Sequence, residues 1–119
     1  MKLTIFLLAT VLSMAANVKA DYYANFYDDD GCKINGGEGV SIKNPGCLTE
    51  PNRGSVYIPN TGLGTLSDNQ FCLVKTHYDG SCSCQNEGYD FTATGFCAVL
   101  DPSYQSYRFI SGGCASNNC

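Results

Sequence analysis

His77 is the only histidine in a chain of 119 residues, so any reaction that needs an imidazole must run through it. A ribonuclease-type reaction would pair it with a carboxylate and with a cation for the phosphate. Glu87 and Arg108 supply one of each. A serine hydrolase would draw on Ser81 or Ser83, which lie close in sequence, but no Gly-x-Ser-x-Gly elbow is present. Glycoside hydrolysis needs two carboxylates astride a sugar cleft, and a chain this short has little room for one. His77 adjoins Tyr78-Asp79-Gly80, a turn signature, and therefore reads as a solvated loop residue. The expectation is a non-enzyme without catalytic residues, with a small secreted hydrolase such as a ribonuclease as the enzyme alternative.

Metal and cofactor chemistry finds equally little support. Asp28-Asp29-Asp30-Gly31 concentrates negative charge but lacks the spaced oxygen ligands of a calcium loop, so it reads as a solvated turn. The glycine-rich CKINGGEG stretch, residues 32–39, does not end in the Lys-Ser or Lys-Thr of a phosphate loop. Cys82-Ser83-Cys84 is spaced too tightly for the usual paired zinc ligands. No cofactor and no metal site are expected.

The cysteines carry the strongest chemical signal. The first twenty residues read as a cleaved export signal: Lys2, an apolar run from Leu3 to Leu12, and small residues at Val18 and Ala20. The apolar run is shorter than the roughly 20 residues of a spanning helix. Residues 21–119 then form one disulfide-rich β domain that keeps all eight cysteines. An even count in an exported chain predicts four disulfides among Cys32, Cys47, Cys72, Cys82, Cys84, Cys97, Cys114 and Cys119. Spacing does not fix the pairing. In an extended Cys82-x-Cys84 both side chains would point to one face and tie two different partners to it.

These cysteines are set among short strands. Residues 21–27, 40–42, 55–58 and 104–111 are aromatic-rich or alternating, and 70–76 and 95–100 are the two most apolar strands. Phe26 is expected in the core, and Tyr107 and Phe109 share one face of the last strand. The segment after Cys84 reads as a polar loop. Turn signals every 8–15 residues, without a helical apolar period, predict an all-β fold. Its form would be a small disulfide-stapled β-sandwich or Greek-key barrel of about six to eight short strands. One internal echo, residues 26–32 against 109–114, suggests two hairpins of similar chemistry more than two related halves.

Charge limits the partners. Removing the leader leaves five basic residues against eleven acidic ones, a formal charge of −6. That balance disfavours nucleic acid and anionic lipid. No membrane insertion is expected, and a monomer is. Eight tyrosines are more than a core of this size absorbs, and exposed tyrosine suits protein or glycan recognition. The expected partner is an extracellular protein or glycan.

NFYDDDGC near residue 25, NPGCL at 44–48, RGSVYI at 53–58 and YRFISGGC at 107–114 resemble the small secreted cysteine-rich proteins of filamentous ascomycete fungi. Many of these are effector candidates. The resemblance implies an extracellular interaction protein that acts outside the fungal cell. Neither hydrophobins nor CFEM-domain proteins fit, because their adjacent Cys-Cys pair is missing. The NFYDDDGC opening also resembles the first hairpin of a βγ-crystallin Greek key, a fold shared by some secreted toxins. Cys32 stands where that hairpin normally has an aromatic residue, and the family's calcium motif does not occur. This second resemblance implies an antimicrobial or killer-type toxin as the alternative function.

Overall fold

The computed structural model describes residues 22–64 and 66–119; the export signal assigned to residues 1–20 lies outside them. Eight strands build the fold: β1 (Tyr23–Tyr27), β2 (Val40–Ser41), β3 (Leu48–Thr49), β4 (Ser55–Asn60), β5 (Gln70–Thr76), β6 (Glu87–Thr92), β7 (Thr94–Val99) and β8 (Ser106–Ser111). They form two antiparallel four-stranded sheets, ordered β2-β1-β4-β7 and β3-β8-β5-β6. The expected small, disulfide-stapled β-sandwich is what the chain adopts.

The two sheet orders are the same pattern shifted by four strands. Within each half the first strand is flanked by the second and fourth, and the third strand joins the opposite sheet. Each half is thus a Greek-key-like unit that lends one strand to the other. Pairing registers fix the correspondence. Tyr27 faces Ser55 as Thr76 faces Ser106, and Ser55 faces Val99 as Ser106 faces Thr49. The halves are therefore related after all, and the stretch that matches residues 26–32 is 75–82 rather than 109–114.

Alternation along the strands sends one face inward. Ala24, Phe26, Val56 and Ile58 from the first sheet meet Phe71, Leu73, Tyr107 and Phe109 from the second. Phe26 lies 5.0 Å from Tyr107 and 6.5 Å from Phe109, ring centre to ring centre. Asn69 is fully buried and pins the glycine-punctuated loop before β5. Its carboxamide bonds Thr61 and the Gly64 carbonyl, so both the oxygen and the nitrogen of this buried amide are paired.

β3 and β6 depart from the sequence reading. The segment expected as a polar loop after Cys84 contains β6, in register with β5 from Gln70–Thr92 to Lys75–Glu87. Gly88 and Asp90 lower its strand propensity, but Tyr89 and Phe91 alternate with them and pack toward the core. Pairing and burial outweigh local preference.

All eight cysteines are bonded: Cys32–Cys97, Cys47–Cys82, Cys72–Cys114 and Cys84–Cys119. The first two correspond under the internal repeat. Each joins the turn after the first strand of one half to the strand that the other half has lent, at Cys97 within β7 and at Cys47 immediately before β3. Cys32 and Cys82 both have φ of 56°. Their N–H groups donate to the buried Ser55 Oγ at 3.0 Å and Ser106 Oγ at 3.1 Å. Cys82-x-Cys84 does tie two different partners, Cys47 and Cys119. It does so from a left-handed bend and not from an extended strand.

The other two bridges have no counterpart in the first half. They fasten residues 112–119 across the outer face of the second sheet. Asn118 N–H donates to the Gln85 carbonyl at 3.0 Å, and Gln85 Nε2 donates to the Ala115 carbonyl at 2.7 Å. Gly88 makes room for this strap, since a Cβ there would stand 2.7 Å from Cys114 Sγ. Cys72 and Val74, on that outer face, are buried as a result.

Candidate functional site

The structure brings His77 and Glu87 into one cluster at the end of the second sheet. His77 follows β5, and its ring lies parallel to Tyr104 with 3.9 Å between centres. Nδ1 and Ser103 Oγ are 3.0 Å apart. The Tyr104 hydroxyl donates to Glu87, whose other oxygen is 3.5 Å from Lys75 Nζ. The Lys75 ammonium also sits 5.4 Å from the Tyr89 ring centre and 5.7 Å from that of Tyr104. His77 is half-buried and stacked, which corrects its reading as a solvated turn residue. The turn signature was right; the approach of Tyr104 from the β7–β8 loop was invisible to it.

Electrostatics in the cluster follow from these contacts. The Tyr104 hydroxyl and then the Lys75 ammonium hold the Glu87 carboxyl below its ordinary value. Burial, and then the Glu87 carboxylate, push the Tyr104 phenol up. Beneath them the Tyr107 phenol is also raised, first by burial, and its hydroxyl is buried without a hydrogen-bond partner.

Among the described residues, no carboxylate hydrogen-bonds the His77 ring; Glu87 is engaged by Tyr104 and Lys75 instead. Arg108, the proposed phosphate cation, pairs in register with Val74 and so points to the opposite face of the sheet from Lys75 and Tyr107. Ser81 belongs to a turn closed by Asp79, whose Oδ1 accepts the Ser81 N–H at 3.0 Å. The serine beside the imidazole is Ser103, which sequence proximity did not suggest.

Asp28-Asp29-Asp30 is a structural turn. Asp29 accepts N–H bonds from Gly31, Lys33 and Ile34 at 3.1, 3.0 and 2.9 Å. Those donors, led by Lys33, lower its pKa. Asp28 pairs with Arg53 Nη1 at 2.9 Å, and Arg53 Nε pairs with Glu50 at 2.8 Å. Gly54 lets this turn close, because a Cβ there would lie 2.8 Å from the Asp29 carbonyl oxygen. Cys72, Asp90 and Cys114 also converge, but both sulfurs belong to one disulfide and hold no thiolate for a metal.

Accessible recognition chemistry also lies elsewhere, on the outer face of the first sheet. Tyr23, Asn25 and Tyr27 alternate with the core residues of β1, and Tyr57 stands beside Asn25 in the next strand. Tyr23 is 51% exposed, Tyr57 40% and Val99 67%. The Cys32–Cys97 bridge anchors the same face, since Tyr57 and Cys97 are register partners. Sequence alternation separated Tyr23 and Tyr27 from Phe26. It did not place Tyr57 and Val99 beside them.

Compared with family models, curated proteins and solved structures, the chain matches none.

Proposed function

We propose that the protein is a secreted, effector-like protein that binds an extracellular protein or glycan target and has no enzymatic activity of its own. The observation that carries this reading is the exposed face of Tyr23, Tyr57 and Val99 on a sheet held rigid by disulfide bonding. Tyrosine offers a large contact area at low entropic cost together with a hydroxyl, which suits recognition of protein or sugar. Four disulfides fit an oxidising, extracellular setting. No helix among the described residues is long and apolar enough to cross a membrane. The resemblance to small secreted ascomycete proteins gives the same direction.

The duplicated Greek-key-like unit supports a second reading, a secreted crystallin-like toxin acting on competing microbes. Its acidic charge is unfavourable for attack on anionic membranes, which cationic proteins favour. A toxin of this kind would work through a receptor.

Oxidised residues 21–119 can be titrated against host extracellular fractions and cell-wall polysaccharides. The expected result is saturable binding to one of them that weakens at least ~10-fold in a Tyr57→Ser/Val99→Ser variant, as for a contact of hot-spot size. Binding to none of them overturns the reading. So does cleavage of RNA, ester or glycan that falls by ~10²-fold or more in His77→Ala, the scale of general acid–base catalysis.

A further inference from the structure

β6 and β7 are joined by Ala93 alone, and each is the outermost strand of its own sheet. The sandwich is therefore open along this side. A hollow of about 580 Å³ wraps the β6 edge here, from aromatic side chains on the core side to the outer face of the second sheet, where Asp90 pairs in register with Cys72. It is lined by the aromatic residues Tyr89, Phe91 and Phe96 and by the polar Gln70, Asp90 and Thr92. A second hollow of about 300 Å³ shares Tyr89 and Phe96 and continues toward Lys75 and Val99. The two form an elongated trough rather than a compact cavity.

The chemistry of the lining narrows the ligand. Tyr89 and Phe91 stack at 5.9 Å and 20°, and Phe96 meets Phe91 edge-on at 6.3 Å, so the aromatic side chains hold one another in place. A carboxylate, an amide and a hydroxyl line the same hollow. Asp90 is fixed there, because its Oδ1 accepts the Cys114 N–H at 2.7 Å. Lys75, the cation at the far end, is paired with Glu87, and the chain as a whole is acidic, so a polyanion is disfavoured. Sugars present apolar C–H faces to aromatic groups and hydroxyls to carboxylate, amide and hydroxyl side chains. The volume lies within the usual range for ligand sites. A peptide strand added to β6 fits less well, because the strap at Cys114 crowds that strand.

We propose that this trough binds a linear, neutral oligosaccharide. The trough reaches the tyrosine face at Val99 but leaves Tyr23 and Tyr57 outside its lining. It adds a ligand class to the binding function proposed above, on which it rests for its extracellular setting.

Isotope-labelled, oxidised residues 21–119 can be titrated with hexasaccharides of β-1,4-N-acetylglucosamine, β-1,4-glucose and β-1,3-glucose. A sulfated polysaccharide and a mixed extended decapeptide serve as the competing classes. The expected result is that at least one neutral hexasaccharide shifts the amides of residues 70, 89–92, 96, 112 and 113, leaving 25 and 57 unmoved. Affinity should rise from disaccharide to hexasaccharide. Gln70→Ala, on an exposed side chain, and Asp90→Asn, which keeps an acceptor for Cys114, should each weaken binding about 3- to 10-fold, as for one lost polar contact. No shift with any neutral hexasaccharide overturns the proposal, as does a shift map confined to the tyrosine face or binding of the peptide alone. In those cases saturable binding that is lost in Tyr57→Ser, outside the trough, leaves the broader reading standing. Silence of both surfaces toward every fraction removes both.

Discussion

The turns at residues 28–37 and 77–86 occupy equivalent places in the two halves, yet they share almost no side chains. What they share is backbone. Gly37 N–H bonds the Phe26 carbonyl at 3.0 Å, as Asn86 N–H bonds that of Lys75 at 3.0 Å. Gly54 N–H bonds Tyr27 at 2.8 Å, as Gln105 N–H bonds Thr76 at 2.9 Å. Both turns keep a left-handed cysteine, a buried serine beneath it and a bridge to the lent strand. Around that common frame the first turn is acidic and clamped by Arg53, whereas the second carries His77 and a second bridge at Cys84. The repeated features make the fold. The unrepeated ones, namely the strap, the stacked His77 cluster and the tyrosine face, are where the halves have diverged.

The sharpest test of that division is to break the repeated bridges. Replacing Cys32 and Cys97 by serine, or Cys47 and Cys82, should each cost about 2–5 kcal/mol, the usual range for small secreted domains. The two losses should be comparable, because the bridges do the same job in each half. Denaturant unfolding of the two double variants makes the comparison, and a bridge whose loss costs under ~1 kcal/mol would mean that the repeat is geometric only.

The buried serines come next. Ser106 Oγ accepts from Cys82 and donates to the Asp79 carbonyl at 2.7 Å, whereas Ser55 Oγ serves Cys32. Both are fully buried. Each Ser→Ala change should cost about 1–3 kcal/mol, with Ser106→Ala the larger because it strips two backbone partners. A reversed order in thermal unfolding would show that the second turn leans on its extra bridge instead.

His77→Ala should cost about 0.5–1.5 kcal/mol, the worth of a stacked aromatic pair. The loss belongs to the second half alone, since Asp28 stands at the corresponding place and stacks on nothing. Chemical denaturation decides it, and an unchanged midpoint would return His77 to the role of a solvated residue.

The smallest effect expected is on pH dependence, and it should be common to both turns. Asp29 and Asp79 are held below the ordinary carboxylate range by backbone N–H groups, chiefly Lys33 and Ser81 respectively. A depressed folded-state pKa contributes stability above the unfolded value, about 3.9, and loses it as pH falls through the folded value. Stability should therefore fall below about pH 4. Asp29→Asn and Asp79→Asn should each flatten that acid limb, which unfolding between pH 2 and pH 7 will read.

Sulfur chemistry and strand class were legible in the sequence. An even cysteine count implied four bridges, and alternation in DYYANFY and YQSYRFIS put Phe26 inside and set Tyr107 and Phe109 on one face. β6 was hidden because Gly88 and Asp90 resemble loop residues, and its order comes from β5 alongside. The His77 cluster was hidden for a similar reason. Tyr104 and Ser103 lie far along the chain, and only the return of β8 next to β5 brings them to the imidazole.

The sequence by itself determined that this is an acidic β protein with eight cysteines available for pairing, because composition and two-residue periodicity are local properties. Tertiary structure alone decided which cysteines meet, which half lends a strand to which sheet, and which tyrosines share a face. Those outcomes depend on contacts between residues tens of positions apart, and their selection rests on burial and backbone pairing across the whole chain. The local pattern of any one segment is compatible with several of them.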